Sequence, residues 1–163
     1  VVCCMSNVSR EQVLRELHDG FAALKKELGF KAGFEELDRV FFLEDAVLNT
    51  GFVSRTALSR QICARIAETY MGWNNYLHGL IISNPHYMIQ VNEGKMLSDE
   101  DKKMMGKMIS EGMRFVSGNM LNGLTKDKKA EAAFIDDALA LWGESYRPQL
   151  AIFLSKIYAG WKK

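Results

Sequence analysis

Proline placement is the feature that most constrains the fold. The chain has 163 residues but only two prolines, Pro85 and Pro148. The long stretches between them carry apolar residues at three- and four-residue spacing, and no alternating polar–apolar run is long enough for a strand. The length is ordinary for one domain with a single core. We therefore expect one all-α domain over residues 9–163, preceded by a flexible segment at 1–8.

Capping signals and apolar periodicity divide this domain into five or six helices. Ser9 with Gln12, and Ser98 with Asp101, have the spacing of capping residues at helix starts. The third helix is the longest, and its main apolar stripe is opposed by a narrower one through Ala57, which predicts a central position. That narrower stripe consists of Ala57, Ala64 and Met71. The expected helices cover about 10–28, 34–50, 54–83, 98–124, 130–142 and a last one from 148.

Composition argues against several classes of function. The 21 basic and 20 acidic residues nearly cancel, so no net charge favours nucleic-acid binding. No apolar run approaches the roughly 20 residues that span a bilayer. The three cysteines are an odd number, and Cys3 and Cys4 are adjacent, which predicts a reducing compartment such as the cytoplasm instead of a disulfide framework. The three histidines lack metal-ligand spacing, and no cofactor motif occurs, so we expect no metal and no cofactor.

The fourth predicted helix is the most unusual segment. It and its lead-in hold six of the nine methionines within 25 residues, together with glycines that weaken a helix. Gly112 projects onto its apolar face, where a small residue admits either a closely packed neighbour or a ligand. Methionine offers an adaptable apolar surface to a partner, while an ordinary loose core is the alternative interpretation. The candidate binding residues on this helix are Met104, Met105, Met108, Phe115 and Asn119.

We therefore expect a non-catalytic helical interaction module or adaptor that associates with itself or with a protein partner. The second hypothesis is a receptor with an apolar pocket between the third and fourth predicted helices, which would bind a small apolar molecule. In that case His78, His86 and Tyr87, with Asn119, would contact the ligand, although isolated histidines are more often structural.

The third hypothesis is an enzyme built on Glu44. If residues 34–50 form one helix, Glu44 lies in the middle of its apolar arc. A buried carboxylate there is either a general base or metal ligand with a raised pKa, or half of a structural ion pair. The expected partners of such a pair are Arg39, Arg60 or Arg65. No second catalytic group can be named from spacing, so enzymatic activity is the least favoured hypothesis.

Overall fold

The computed structural model describes residues 9–162, and every regular element in that range is helical. The all-α prediction and the long central helix are confirmed. The last two α-helices are joined through a π-helical turn into one continuous rod, so the described chain contains seven rods instead of the five or six expected. The predicted N-terminal segment lies outside the described residues. The elements are α1 (Arg10–Leu28), α2 (Phe34–Phe41), α3 (Leu43–Thr50), α4 (Leu58–Ile81), α5 (Met88–Lys95), α6 (Asp99–Thr125), α7 (Lys128–Leu141), the π-helical turn (Trp142–Tyr146) and α8 (Arg147–Trp161).

The expected second helix is broken at Phe42, which has a φ of 54° and lies in the left-handed region. Its amide donates to the carbonyl of Asp38, closing α2, and the Asp38 carboxylate accepts the amide of Glu44 in the first turn of α3. Left-handed backbone is rare for a bulky side chain, so nothing in the local pattern signals this break. A second additional helix, α5, lies between α4 and α6, where the sequence analysis expected a connection.

The central helix α4 is shorter than the predicted 54–83 and, at 24 residues, is not the longest helix as expected, since α6 has 27 residues. The Ser54 hydroxyl accepts the amide of Ala57, and the Gln61 side chain accepts the amide of Ser54, so the chain turns before the helix begins. The far end, at Ile81, lies just before Asn84-Pro85 as expected, because a residue preceding proline is forced away from helical geometry.

The core forms where α4 packs against the helices that follow it. Arg60 pairs with Asn119 and Asn74 with Ile109, so α6 runs antiparallel to α4. Cys63 contacts the carbonyl of Glu131 and the Tyr70 hydroxyl donates to the carbonyl of Ala138, so α7 runs parallel to α4. The helices α1 to α3 cover the remaining side. Fully buried side chains fill the space between these elements, among them Leu17, Leu37, Phe41, Ile66, Tyr70, Leu77, Met105 and Ile135.

A buried polar cluster ties the π-helical turn to the two central helices. The Tyr146 hydroxyl lies 2.7 Å from Asn74 Oδ1 and 2.5 Å from the carbonyl oxygen of Met108, so both acceptors share its proton. The Asn74 amide donates to Ile109. Gly112 faces this cluster, and a Cβ there would overlap the Tyr146 hydroxyl. The close neighbour expected at Gly112 is thus the π-helical turn.

The start of α6 is fixed by its cap and by an ion pair to α8. Ser98 and Asp101 form the predicted capping box, in which each side chain accepts the other residue's amide. Lys156 adds two short contacts, 2.6 and 2.8 Å, from its ammonium to the Asp101 carboxylate. These hydrogen bonds, with that from Lys156 foremost, lower the pKa of Asp101 below its ordinary value.

Candidate interaction groove along the central helix

The outer face of α4 forms one wall of a surface groove, and α6 forms the other. This α4–α6 groove has a volume of about 460 Å³. Its α4 wall carries the small residues Ala64 and Gly72, which keep the helix surface low, next to the thioether of Met71. Two of the three residues of the narrower stripe predicted on this helix, Ala64 and Met71, therefore face a concavity. The remaining lining residues are Ala67, Glu68, Asn75, Val116, Asn119 and Met120.

A second concavity lies on the other side of the same α4 face, against α3. It is a crevice of about 150 Å³ that reaches buried core residues, including Leu43, Val47 and Ile62. Ala64 and Glu68 line both this crevice and the α4–α6 groove. The exposed face of α4 is thus flanked by depressions on both sides.

Exposed apolar side chains lie on the side of α6 that carries Met120, which lines the groove. Met113 is 39% exposed, Met120 68% and Leu124 83%. Their spacing of seven and then four residues places them on one side of the helix. We call these three residues the methionine ridge. A ridge of flexible thioether and leucine side chains beside a low, small-residue wall is an adaptable apolar surface.

The methionines singled out in the sequence have two different environments. Met105 and Met108 are fully buried beneath the groove, in contact with the core. Phe115 is buried as well and stacks on Tyr70 with ring centroids 4.9 Å apart. Met104 is 37% exposed but does not line the groove. Three of these candidates therefore belong to the core, as the alternative interpretation held.

Asn119 is the predicted polar residue that does line the groove. It is partly buried, and both its backbone carbonyl and its side-chain oxygen accept from Arg60 Nη2, at 2.9 and 2.8 Å. His78, His86 and Tyr87 are exposed and lie away from this groove. The structure does not bring these three together with Asn119.

Glu44 differs from its expected placement. The break at Phe42 changes the helical phase, so the Glu44 side chain is 35% exposed instead of lying in the middle of an apolar arc. Its partner is His18, whose Nε2 lies 2.8 Å from Glu44 Oε1, and the His18 ring packs on Phe34. The expectation of an arginine partner is wrong. Arg65 instead donates to the backbone carbonyl of Phe41.

The most deeply buried carboxylate among residues 9–162 is that of Glu131, which the sequence analysis did not identify. It is 1% exposed, and the fully buried Ser59 hydroxyl donates to it at 2.5 Å. Lys128 and Arg60 lie 3.4 and 3.7 Å away. A signal existed in the sequence, because Phe134, Ile135 and Ala138 follow Glu131 at helical spacing and place it on the apolar face of α7.

Cys63 lies beside this cluster, with its sulfur 3.9 Å from the carbonyl oxygen of Glu131. Burial, and secondarily the Glu131 charge, raise the pKa of the thiol to about 12. A thiol held in its neutral form is a poor nucleophile. Cys63 is therefore part of the buried core.

The described residues contain no group of three or more side chains suited to hold a metal ion. None of the helices between residues 9 and 162 is both long and apolar enough to cross a membrane. Comparisons of this chain with protein-family models, with curated proteins and with solved structures find no match.

Proposed function

We propose that this protein is a self-associating helical interaction module, and that the α4–α6 face of one copy binds the same face of a second. The observation that carries this proposal is the adjacency of two complementary shapes, the α4–α6 groove and the methionine ridge. In a two-fold dimer the same patch is used twice, so a surface that carries both a depression and a protrusion can satisfy itself.

The dimensions of the two shapes agree. The α4 wall of the groove runs from Ala64 to Asn75, and the methionine ridge runs from Met113 to Leu124. Each covers eleven residue steps, which corresponds to about 16 Å at the rise of an α-helix. The ridge of one copy can therefore lie along the full α4 wall of the other, as helices do in helix-in-groove recognition.

The charge of the groove also favours contact between identical surfaces. Its lining contains one charged residue, Glu68, and Arg65 Nη1 on the same helix lies 3.5 Å from that carboxylate. A strongly charged face would repel its own copy, whereas a nearly neutral apolar face does not. Burying the exposed methionine and leucine side chains supplies the driving force, at roughly 25 cal/mol per Å² of apolar surface.

The test is the oligomeric state of the purified chain, measured by native mass spectrometry and light scattering from micromolar to hundreds of micromolar concentration. We expect a dimer that Met120→Glu converts to a monomer, because the substitution places a charge on the methionine ridge. The matched control is Ile152→Glu, which changes an apolar side chain that is 47% exposed on α8 and lines neither groove nor crevice. The control should remain dimeric.

A wild-type chain that is monomeric throughout this range would overturn the proposal. So would a Met120→Glu variant that stays dimeric while folded, as judged by circular dichroism. A heterologous protein bound to the same face in place of a second copy would refute self-association.

A second candidate function is supported by the crevice between α3 and α4. Its volume of about 150 Å³ and apolar lining suit a small apolar molecule, which would bind there and not between α4 and α6. Native mass spectrometry of the same sample tests this directly, since a retained ligand adds mass and Ala46→Phe, which partly fills the crevice, should remove that mass.

The odd cysteine count further leads us to propose a reducing intracellular compartment.

A further inference from the structure

A separate cleft of about 490 Å³ lies between α1 and the start of α4. We call it the α1–α4 cleft. It shares no lining residue with the α4–α6 groove, so its argument is independent of the proposed self-association. Its walls come from α1, from the segment that precedes α4, and from Lys128 at the start of α7. The volume falls in the range typical of small-molecule sites.

One end of the cleft presents a positioned ammonium group. Lys128 Nζ donates to Ser59 Oγ at 2.9 Å and to the Glu131 carboxylate at 3.4 Å. Both partners are buried, which fixes the position of the ammonium, while the lysine side chain is 46% exposed. An ammonium has three N–H donors. The third has no partner among the described residues and can serve a ligand in the cleft.

The charge balance behind Lys128 favours an anionic ligand group. Two partly exposed cations, Arg60 and Lys128, flank the buried carboxylate of Glu131, so this cluster carries one net positive charge. Arg60 Nη1 is buried and lacks a hydrogen-bond partner among the described residues. A carboxylate bound at Lys128 would neutralise this excess, and its interaction would be strengthened by partial exclusion of water.

The α1 wall of the cleft presents carboxylates. Asp19 and Glu27 both line it from α1, and neither forms an ion pair with any residue in the described range. They are eight residues apart, or about 12 Å along the helix. The third acidic residue, Glu16, is already paired with Arg55 at 3.0 Å. The available charge on this wall is negative and suits an ammonium group.

Apolar and small residues line the cleft together with these charged groups. Leu24, Val53 and Leu58 supply aliphatic surface, and Gly20 and Ala23 leave the α1 wall open. This lining can contact a hydrocarbon segment but offers little to a polar one.

We propose that the α1–α4 cleft binds a zwitterion in which a carboxylate and an ammonium are joined by an aliphatic segment. The carboxylate accepts from Lys128, and the ammonium pairs with Asp19 or Glu27. A free ω-amino acid and a lysine at the carboxyl end of a peptide both have this chemistry.

The test is isothermal titration calorimetry of the intact chain with three probes that share one carbon skeleton. 6-Aminohexanoate carries both charges, hexanoate only the carboxylate and hexylamine only the ammonium. We expect 6-aminohexanoate to bind at least about tenfold more tightly than either single-charge probe, since each end supplies a separate contact. A Gly-Gly-Lys peptide, with its carboxylate free or amidated, distinguishes the two sources. Stronger binding of the free form than of 6-aminohexanoate would assign the ligand to a peptide terminus.

Variants tie any binding to the cleft. Lys128→Met should abolish binding, whereas its matched control, Lys129→Met, changes an exposed neighbour outside the cleft and should not. Because Lys128 also contacts a buried carboxylate, its variant is checked by thermal denaturation. The double variant Asp19→Asn/Glu27→Gln keeps the fold, since both side chains are exposed, and should weaken binding several-fold, with Glu11→Gln as its control. Equal binding of all three probes, no binding at millimolar concentration, or full binding by both cleft variants would refute the proposal.

Discussion

Replacing Gly112 with alanine tests whether the contact between α6 and the π-helical turn holds the central helices together. Alanine favours a helix by about 1 kcal/mol over glycine, so propensity alone predicts stabilisation. The added methyl group would overlap the Tyr146 hydroxyl and lie 2.8 Å from both polar atoms of the Asn74 side chain. Overpacking costs about 1–3 kcal/mol. Displacing the tyrosine also leaves its buried acceptors unpaired, at about 1–3 kcal/mol. We expect a net loss centred on about 3 kcal/mol.

The matched control is Gly106→Ala on the same helix, where an added Cβ meets nothing within 4 Å. It should raise stability by up to about 1 kcal/mol. Urea denaturation followed by far-ultraviolet circular dichroism measures both variants. A Tyr146→Phe background removes the hydroxyl, so the cost of Gly112→Ala should fall there by at least about 1 kcal/mol in a double-mutant cycle. If Gly112→Ala is as stable as the Gly106 control, the steric reasoning is wrong.

Three further predictions follow from contacts described above. Glu131→Gln should cost about 3 kcal/mol in urea denaturation, because the partly buried Arg60, whose Nη1 is fully buried, loses its counter-charge; a loss below about 1 kcal/mol would contradict this. Because the folded-state pKa of Asp101 is lowered, its pair with Lys156 stabilises the fold above the ordinary carboxyl pKa, and this stability is lost as pH falls through the lowered value. The stability gap between wild type and Asp101→Asn should therefore be constant near neutral pH and narrow as pH falls below the ordinary carboxyl pKa, as unfolding at a series of pH values would measure. Lys126→Gly should gain about 0.5–1 kcal/mol in thermal denaturation, since Lys126 has a φ of 54° beyond α6 where glycine is unstrained; unchanged stability would argue against strain there.

Local signals predicted those parts of the fold that depend on local chemistry. The caps at Ser9 and Ser98 and the stop at Gly29 lie where the pattern placed them, because each is set by hydrogen bonds within one turn of helix. The break at Phe42 carries no such signal. It depends on Asp38 accepting an amide across the junction, and phenylalanine is an unusual residue for that backbone conformation.

The candidate groove was only partly predictable for a related reason. Periodicity identified the second stripe of α4 through Ala64 and Met71, which is a property of one helix. It could not separate the buried Met105 from the exposed Met120, because that distinction depends on which neighbours cover each side of α6. The burial of Glu131 depends on Ser59, more than seventy positions earlier in the chain, and only the tertiary fold brings them together.

The π-helical turn at residues 142–146 tolerates a change in the number of residues less than a surface loop would. Twelve residues separate the buried Ala138 from the buried Leu150, and an uninterrupted α-helix would rotate the second by about 120° from the first. The wider turn absorbs part of this rotation, so α7 and α8 both face the core. Deleting one residue here, for example Gly143, would swing α8 by about 100° and expose Phe153 and Ile157. Insertions or deletions within this turn are therefore expected to unfold the protein, whereas a surface loop would tolerate them.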